Sequence, residues 1–198
     1  RDVEQIVRTE TTFWGTIPYP AYLFLNVISE GNGAIEHKAS TVLMTSRWRT
    51  ASRKPSLEWL STAAHEFFHA WNVKRLRPAE LGPFDYDREN YTRSLWIAEG
   101  LTDYYGDLAL VRGGVVDPAG FYGLTTEKIN NIAQAPPFAV EDASLNAWIK
   151  VRDGTDALYY DKGSLAGFLL DIMIRDASDN RSSLDVAMRD LYRSTYKQ

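Results

Sequence analysis

The chain has 198 residues and a formal net charge of −4; 44% of its residues are hydrophobic and none is cysteine. This length can bury the core of one large domain or two small lobes, and the acidic balance argues against nucleic acid as a partner. The lack of cysteine excludes disulfides, thiol catalysis and thiolate metal sites. The apolar runs are too short to cross a bilayer, so no membrane partner is expected. Because the chain begins at Arg1 without a visible signal peptide, we expect a piece of a processed protein from which a targeting segment has been cut. The lack of cysteine fits an exported and a cytosolic protein equally and leaves the compartment open, with the bacterial periplasm or secretion favoured over the cytoplasm.

Two segments near the N-terminus have the composition of β-strands. "PYPAYLFLNVIS" and "AIEHKASTVLMTS" are rich in aromatic and β-branched residues, and the "EGNG" between them is typical of a turn. This pattern predicts two strands joined by a turn, as a hairpin or as part of a sheet, within a β lobe at about residues 11–50.

Helical patterns dominate the rest of the chain, from about residue 55 to residue 198. Ser56 is the expected N-cap of a first helix over residues 57–73, and the polar, proline-containing residues 74–93 predict a loop. Further helices are predicted over residues 94–112, 117–133, 160–176 and 182–194. The sequence therefore predicts an α+β fold, with a small β-sheet lobe packed on a mainly helical lobe.

The first of these helices carries "TAAHEFFHAWNV", in which His65 and His69 lie one turn apart and Glu66 follows the first histidine. At 100° per residue the two imidazoles emerge about 40° apart, at the border of the apolar face. Two neutral imidazoles in this arrangement can bind one Zn²⁺, and the glutamate can take a proton from an attacking water. The alternative is a packed helix whose histidines only make hydrogen bonds, so the interpretation depends on a third ligand.

With no cysteine and only His37 as a further histidine, the third zinc ligand is expected to be a carboxylate. A HExxHxxGxxH site is excluded because Asn72 and Arg75 stand at its glycine and last histidine positions. The glutamates of the 74–93 loop are expected to be solvated, whereas Glu99 lies in the apolar helical pattern "LWIAEGLTDYY". We therefore predict Glu99 as the third ligand.

Asp103 lies one turn beyond Glu99 on the same predicted helix face. In that position it can accept the ring N–H of a ligand histidine and orient it; the alternative is an ordinary acid on the helix surface. His65, His69 and Glu99 together would form the open two-histidine, one-carboxylate site of a catalytic zinc, with one Zn²⁺ per chain.

Four segments in order, "GAIEH", "HEFFHAWNVKRLRP", "LWIAEGLTDYY" and "YYDKGSLAG", resemble the glycyl aminopeptidase family of zinc metallopeptidases. These enzymes are thermolysin-like gluzincins, more distantly related to aminopeptidase N. The resemblance runs from about residue 10 to the C-terminus and implies a thermolysin-like catalytic domain with zinc on His65, His69 and Glu99 and with Glu66 as general base. Family members usually add a β-rich N-terminal domain and a PDZ-like C-terminal domain. Neither fits in this chain, so residues 1–198 are expected to form a single catalytic domain.

The resemblance also implies a substrate-binding strand, because Gly33, Glu36 and His37 match the GxxEH element that holds the N-terminus of a substrate in aminopeptidases. An α-ammonium in a partly desolvated cleft needs a fixed carboxylate partner. Glu36 would then admit one residue before the scissile bond. The alternative is an exposed strand glutamate beside a histidine.

The resemblance to the aminopeptidase pattern Tyr-x-Lys-Gly selects Tyr160 as the hydroxyl donor that stabilises the oxyanion, with Tyr159 as the alternative. Ordinary core packing would explain either tyrosine equally well. The basic cluster Lys74, Arg75 and Arg77 is interpreted as solvated residues that complement a helix dipole, and it is left out of the site.

The sequence therefore predicts a zinc aminopeptidase whose partner is a peptide with a free N-terminus, with glycine or alanine favoured there by the resemblance. A thermolysin-like endopeptidase is the alternative enzyme and would need Glu36 to lie away from the cleft. A non-catalytic zinc- or peptide-binding module, flanked by a PDZ-like domain in a longer protein, is the alternative outside enzymes. Glu66 argues against it, since a binding module needs no base there.

Overall fold

The structure is a computed structural model that describes residues 1–149, 155 and 157–196. Within these residues it combines α-helices with one three-stranded sheet, as an α+β fold requires. The strands are β1 Leu23–Ile28, β2 Gly33–Glu36 and β3 Ser40–Thr45; the helices are α1 Asp2–Trp14, α2 Arg53–Phe68, α3 Leu101–Arg112, α4 Pro118–Gln134, α5 Val140–Asn146, α6 Leu158–Ala177 and α7 Leu184–Thr195. A 3₁₀ turn spans Ala79–Leu81, and a π-helical turn, Trp96–Gly100, precedes α3. Among the described helices, none has both the length and the apolarity needed to cross a membrane.

The chain forms two compact units. The first contains Arg1–Arg75 and Tyr105–Phe121, and the second contains Leu76–Tyr104 and Tyr122–Gln198. The sheet, α1 and α2 belong to the first unit, and the π-helical turn, α5, α6 and α7 belong to the second. The chain passes from one unit to the other between Arg75 and Leu76, within α3 and within α4.

The sheet has the order β1-β3-β2, which differs from the predicted hairpin. β1 runs parallel to β3, with Leu25 opposite Val42, and β2 runs antiparallel to β3, with Ile35 opposite the same residue. The hairpin across "EGNG" is therefore wrong, whereas the alternative, that both segments are part of a sheet, is confirmed. The second segment is itself two strands, because the chain turns after Glu36, where the His37 amide donates to the Ser40 carbonyl at 2.8 Å.

Helix α1 was not predicted, and it extends to Trp14, so the β lobe does not begin near residue 11. Its buried residues Ile6, Glu10, Phe13 and Trp14 follow the spacing of one helix face, and burying that face overrides the β-propensity of the threonines at the C-terminal end of α1. Trp14 stacks on Trp71 with ring centroids 6.0 Å apart. Because complete burial of an apolar side chain of this size contributes about 1.5–3 kcal/mol, this face fixes α1 in the core of the first unit.

Helix α2 begins one turn earlier than predicted. Ser52 occupies the N-cap position, whereas Ser56, the predicted cap, lies within the helix and its hydroxyl donates to the Ser52 carbonyl at 2.9 Å. Pro55 does not prevent the earlier start because the first turn of a helix needs no amide donor there. The other predicted helices correspond to α3 with its π-helical turn, α4, α6 and α7, while the short α5 was not predicted.

Candidate active site

The HExxH segment forms the last turn of α2, in the first unit. His65, Glu66 and His69 are 8%, 7% and 1% exposed, so the histidines lie inside the packed face and not at its solvent border. Their Nε2 atoms are 3.0 Å apart and their rings are nearly perpendicular. Two nitrogens bound to one tetrahedral zinc at 2.0–2.1 Å would be separated by about 3.4 Å, so the pair is close to the geometry of a shared cation.

The end of α2 fixes the tautomer of His69. Beyond Phe68 the helix tightens, with the Ala70 amide donating to the Phe67 carbonyl at 3.0 Å. The Asn72 carbonyl, beyond the end of α2, lies 2.7 Å from Nδ1 of His69. A carbonyl only accepts, so Nδ1 carries the proton and Nε2 keeps its lone pair, which is the form of imidazole that binds a metal. The residues present therefore fit zinc on chemical grounds.

Close packing at a glycine supports this end of α2 from the other side. Gly106 of α3 faces His65 so closely that a Cβ there would lie 3.0 Å from the His65 amide nitrogen and 3.2 Å from its Cα. Ser61 of α2 also donates to Asp107 at 2.6 Å. The backbone around His65 is thus packed against α3 so closely that a Cβ at position 106 would require a small shift of one of the two helices.

Two residues of the first unit that no sequence pattern indicates lie near these groups. Glu10 of α1 is buried, and burial raises the pKa of its carboxyl well above the ordinary value, while the charge of His65 acts in the opposite direction. The Tyr22 hydroxyl donates to the Glu66 carbonyl at 3.3 Å; burial and then the Glu66 carboxylate raise its pKa. No motif contains either residue, and only the helical spacing of α1 could have indicated that Glu10 is buried.

The strand of the predicted substrate-binding element is β2. Gly33 begins the strand with open space beside it, and Glu36 ends it. A Glu36 carboxylate oxygen, a Glu66 carboxylate oxygen and a His69 ring nitrogen all lie within 4.8 Å of one another. His37 follows in the turn, where its side chain is exposed. The structure therefore brings Glu36 close to Glu66 and His69.

The basic cluster is bonded more extensively than predicted. Lys74 Nζ lies 2.7 Å from Glu36 Oε1. Arg75 donates to the carbonyls of Lys38 and Pro18, each at 2.9 Å, and to that of Ala70. The interpretation of Lys74 and Arg75 as solvated residues is wrong, because both side chains reach back across the end of α2 to acceptors of the first unit.

Glu99 lies in the second unit, on the π-helical turn. Its neighbour Gly100 packs directly on Gly163 of α6: a Cβ at Gly163 would lie 2.9 Å from the Gly100 Cα and 2.8 Å from the Trp96 carbonyl oxygen. The Trp96 amide donates to the hydroxyl of Ser144 in α5 at 3.1 Å, which ties the π-helical turn to α5. π-Helical turns are rare in proteins, and those that occur are often found at functional sites. Glu99 lies on such a turn, which sequence patterns do not reveal.

Tyr160 and Asp103 also belong to the second unit. Tyr160 is in the first turn of α6, half-buried, with its ring 4.7 Å from that of Tyr159. Asp103 forms an ion pair with Lys128 at 2.6 Å, and the same ammonium donates to Ser164 at 2.9 Å. The roles of Glu99, Asp103 and Tyr160 stay predictions.

Comparisons with known proteins bear on this arrangement. A family model described as M61 glycyl aminopeptidase matches residues 58–166, more than half of the chain. The chain belongs to this family. The matched range contains the HExxH segment, Glu99 and Tyr160, whereas Glu36 lies outside it.

One solved structure similar to the M61 chain is a crystal structure of an aminopeptidase N family protein from Idiomarina loihiensis. The two share 29% sequence identity with a TM-score of 0.92, over 99% of this chain and 36% of that one. This chain thus spans 36% of the length of that protein. No curated protein sequence matches the chain. The family and the structural likeness together support a peptidase.

Proposed function

We propose that this M61 domain is a zinc-dependent aminopeptidase with a thermolysin-like catalytic fold. The observation that carries the proposal is the convergence of three groups in the first unit: the two Nε2 atoms 3.0 Å apart, the Glu66 carboxylate, and the Glu36 carboxylate within 4.8 Å of both Glu66 and His69. A base, a metal-binding pair and an ammonium acceptor at such distances suit hydrolysis of the first peptide bond of a substrate.

In this proposal His65 and His69 hold the zinc and Glu99 supplies the third ligand. A zinc ion held by these residues would supply polarisation of a peptide carbonyl and a lower pKa for water. Glu66 takes the proton of the attacking water and passes it to the leaving nitrogen. Tyr160 donates its hydroxyl to the developing oxyanion, and Asp103 orients a ligand histidine.

Glu36 supports an aminopeptidase over an endopeptidase. An endopeptidase must leave room for a chain to continue past the site, which requires Glu36 to lie away from the histidines. The carboxylate lies instead within a few ångströms of Glu66, where a positively charged N-terminus would end the substrate. Peptides with a free N-terminus are therefore the proposed substrates, and small first residues such as glycine and alanine are the proposed preference.

The test compares alanyl- and glycyl-p-nitroanilide with leucyl-p-nitroanilide and with the N-acetylated forms, with zinc content measured on the same sample. We expect cleavage of the free-amine substrates only, loss of activity with a chelator and recovery with zinc. Glu66→Gln is the matched variant, because it keeps the side-chain volume but removes the base. We expect it to retain zinc and to lose about 10²–10⁴-fold in kcat.

Each alternative has its own outcome. Cleavage of the acetylated substrates would favour the endopeptidase. Stoichiometric zinc with no turnover of any substrate would favour a binding module. Full activity in the glutamine variant would remove Glu66 from the mechanism, and equal rates for leucine and glycine would remove the preference for small residues.

A further inference from the structure

The Glu36 carboxylate already holds an ammonium group in this structure. Lys74 Nζ lies 2.7 Å from Glu36 Oε1, and the two side chains are only 23% and 21% exposed. No other ion pair of Glu36 occurs among the described residues. Since Glu36 is within 4.8 Å of Glu66 and His69, Lys74 places its charge at the edge of the candidate site.

The backbones on both sides of this ion pair are tied together by other bonds. Arg75 donates to the carbonyl of Lys38, two residues beyond Glu36, and to that of Pro18. β2 is also fixed by its register with β3, in which Glu36 lies opposite Thr41. The segments that carry Lys74 and Glu36 therefore stay together without the ion pair, so the Lys74 side chain is not needed to hold them.

We propose that Lys74 is the internal occupant of the ammonium site at Glu36. Its ammonium fills this site in the substrate-free protein, and the α-ammonium of a substrate displaces it. The inference rests on the proposed function, because it takes Glu36 to be the acceptor of the substrate N-terminus. The two ammonium groups offer the same charge and the same donors, and they repel each other on one carboxylate. The flexible four-carbon stem of lysine allows the side chain to leave.

Such an occupant sets the specificity of the site through competition. The apparent affinity for a free N-terminus falls by the fraction of molecules in which Glu36 is available. A partly exposed ion pair of this kind reduces that fraction about two- to fivefold. Lys74 is therefore a specificity-determining residue: it weakens the binding of free amines and leaves the binding of acetylated peptides unchanged.

The test measures KM and kcat for alanyl-p-nitroanilide with the zinc-loaded full chain carrying Lys74→Met or Lys74→Arg. We expect Lys74→Met to lower KM about two- to fivefold with kcat unchanged, because the competitor is gone. Lys74→Arg should raise KM, because a guanidinium can bind both carboxylate oxygens and leaves less easily. The control is Lys38→Met, which removes the same charge from an exposed side chain near Glu36 and should leave KM unchanged.

An unchanged or higher KM in Lys74→Met would overturn the inference while leaving the aminopeptidase proposal intact. If the unsubstituted chain binds zinc but cleaves neither substrate form, the proposed function fails instead. The dissociation constant of glycinamide, measured by calorimetry, then decides about Lys74 separately. Tighter binding to Lys74→Met than to the unsubstituted chain supports the internal occupant, and equal binding or no binding to either overturns it.

Discussion

The last turn of α2 and the first turn of α6 both carry a motif, but the two motifs depend on different parts of the chain. In α2 the side chains are buried and oriented: His69 is 1% exposed and its ring donates to a backbone carbonyl at 2.7 Å. In α6 Tyr160 is half-buried beside Tyr159. The tightly constrained residue there is Gly163, whose backbone contacts the π-helical turn.

This difference explains why one motif can be interpreted from spacing and the other cannot. Two histidines one helical turn apart face the same direction in any α-helix, so their chemistry is implied by local geometry. The glycine of "YDKG" acts through a contact with Gly100, which is distant in sequence, and no local rule predicts that contact. We therefore expect substitutions in α2 to alter chemistry and substitutions at Gly163 to alter packing.

The largest effect that would test this comparison of α2 with α6 is a fall in kcat, expected when a tyrosine of α6 is replaced. Tyr160→Phe removes the proposed oxyanion donor and keeps the ring, so kcat should fall about 10²–10³-fold with little change in KM or in zinc content. Tyr159→Phe is the matched variant on the neighbouring residue and should cost much less. The measurement is steady-state hydrolysis of alanyl-p-nitroanilide.

The reverse ranking of the two variants would assign the donor role to Tyr159. If both variants kept full activity, α6 would contribute only packing, and the oxyanion would need a donor from elsewhere. Tyr22 would then be the first residue to examine, because its hydroxyl lies at the Glu66 carbonyl.

A smaller effect, on stability, is expected at the backbone contact of α6. In Gly163→Ala the new methyl group would lie 2.8 Å from the Trp96 carbonyl oxygen and 2.9 Å from the Gly100 Cα, so backbone must move. We expect a loss of about 1–3 kcal/mol, as for overpacked cores, seen as a fall of about 2–4 °C in Tm for each kcal/mol. Differential scanning calorimetry measures it.

Gly123→Ala is the control for that experiment. Gly123 lies in α4 with nothing within 4 Å of its missing Cβ. Alanine is there expected to stabilise the helix by about 0.5–1 kcal/mol. A Gly163→Ala protein as stable as the Gly123→Ala protein would contradict the close contact with the π-helical turn.

The sequence predicted the helices with strong periodicity and the α+β class, but it failed where tertiary packing decides. α1 was missed because its threonines favour strands, while the buried face of Ile6, Phe13 and Trp14 stabilises a helix. The predicted hairpin was wrong because β1 pairs in parallel with β3, and the turn that follows β1 does not determine that pairing.

The candidate site shows the same division: sequence spacing indicates some of its residues, and contacts between distant parts of the chain place the others. The HExxH pair could be proposed from helical geometry, and Tyr160 only from resemblance. Lys74 could not be linked to Glu36, because the contact joins the turns that follow α2 to the end of β2. The π-helical turn under Glu99 was equally invisible, since it depends on Gly100 packing against α6.

The smallest expected effect tests whether α2 also depends on backbone packing. Gly106→Ala would place a methyl group 3.0 Å from the His65 amide nitrogen, so α2 must shift by a few tenths of an ångström. We expect a loss of about 1 kcal/mol of stability, at the low end of overpacking. Because the shift is at His65, zinc affinity should fall as well, and a competition titration with a chromophoric chelator measures it. If stability fell but zinc affinity did not, the histidine pair would tolerate movement of its helix. The two helices would then both depend on close backbone packing for stability, and they would differ only in the chemistry of the side chains they carry.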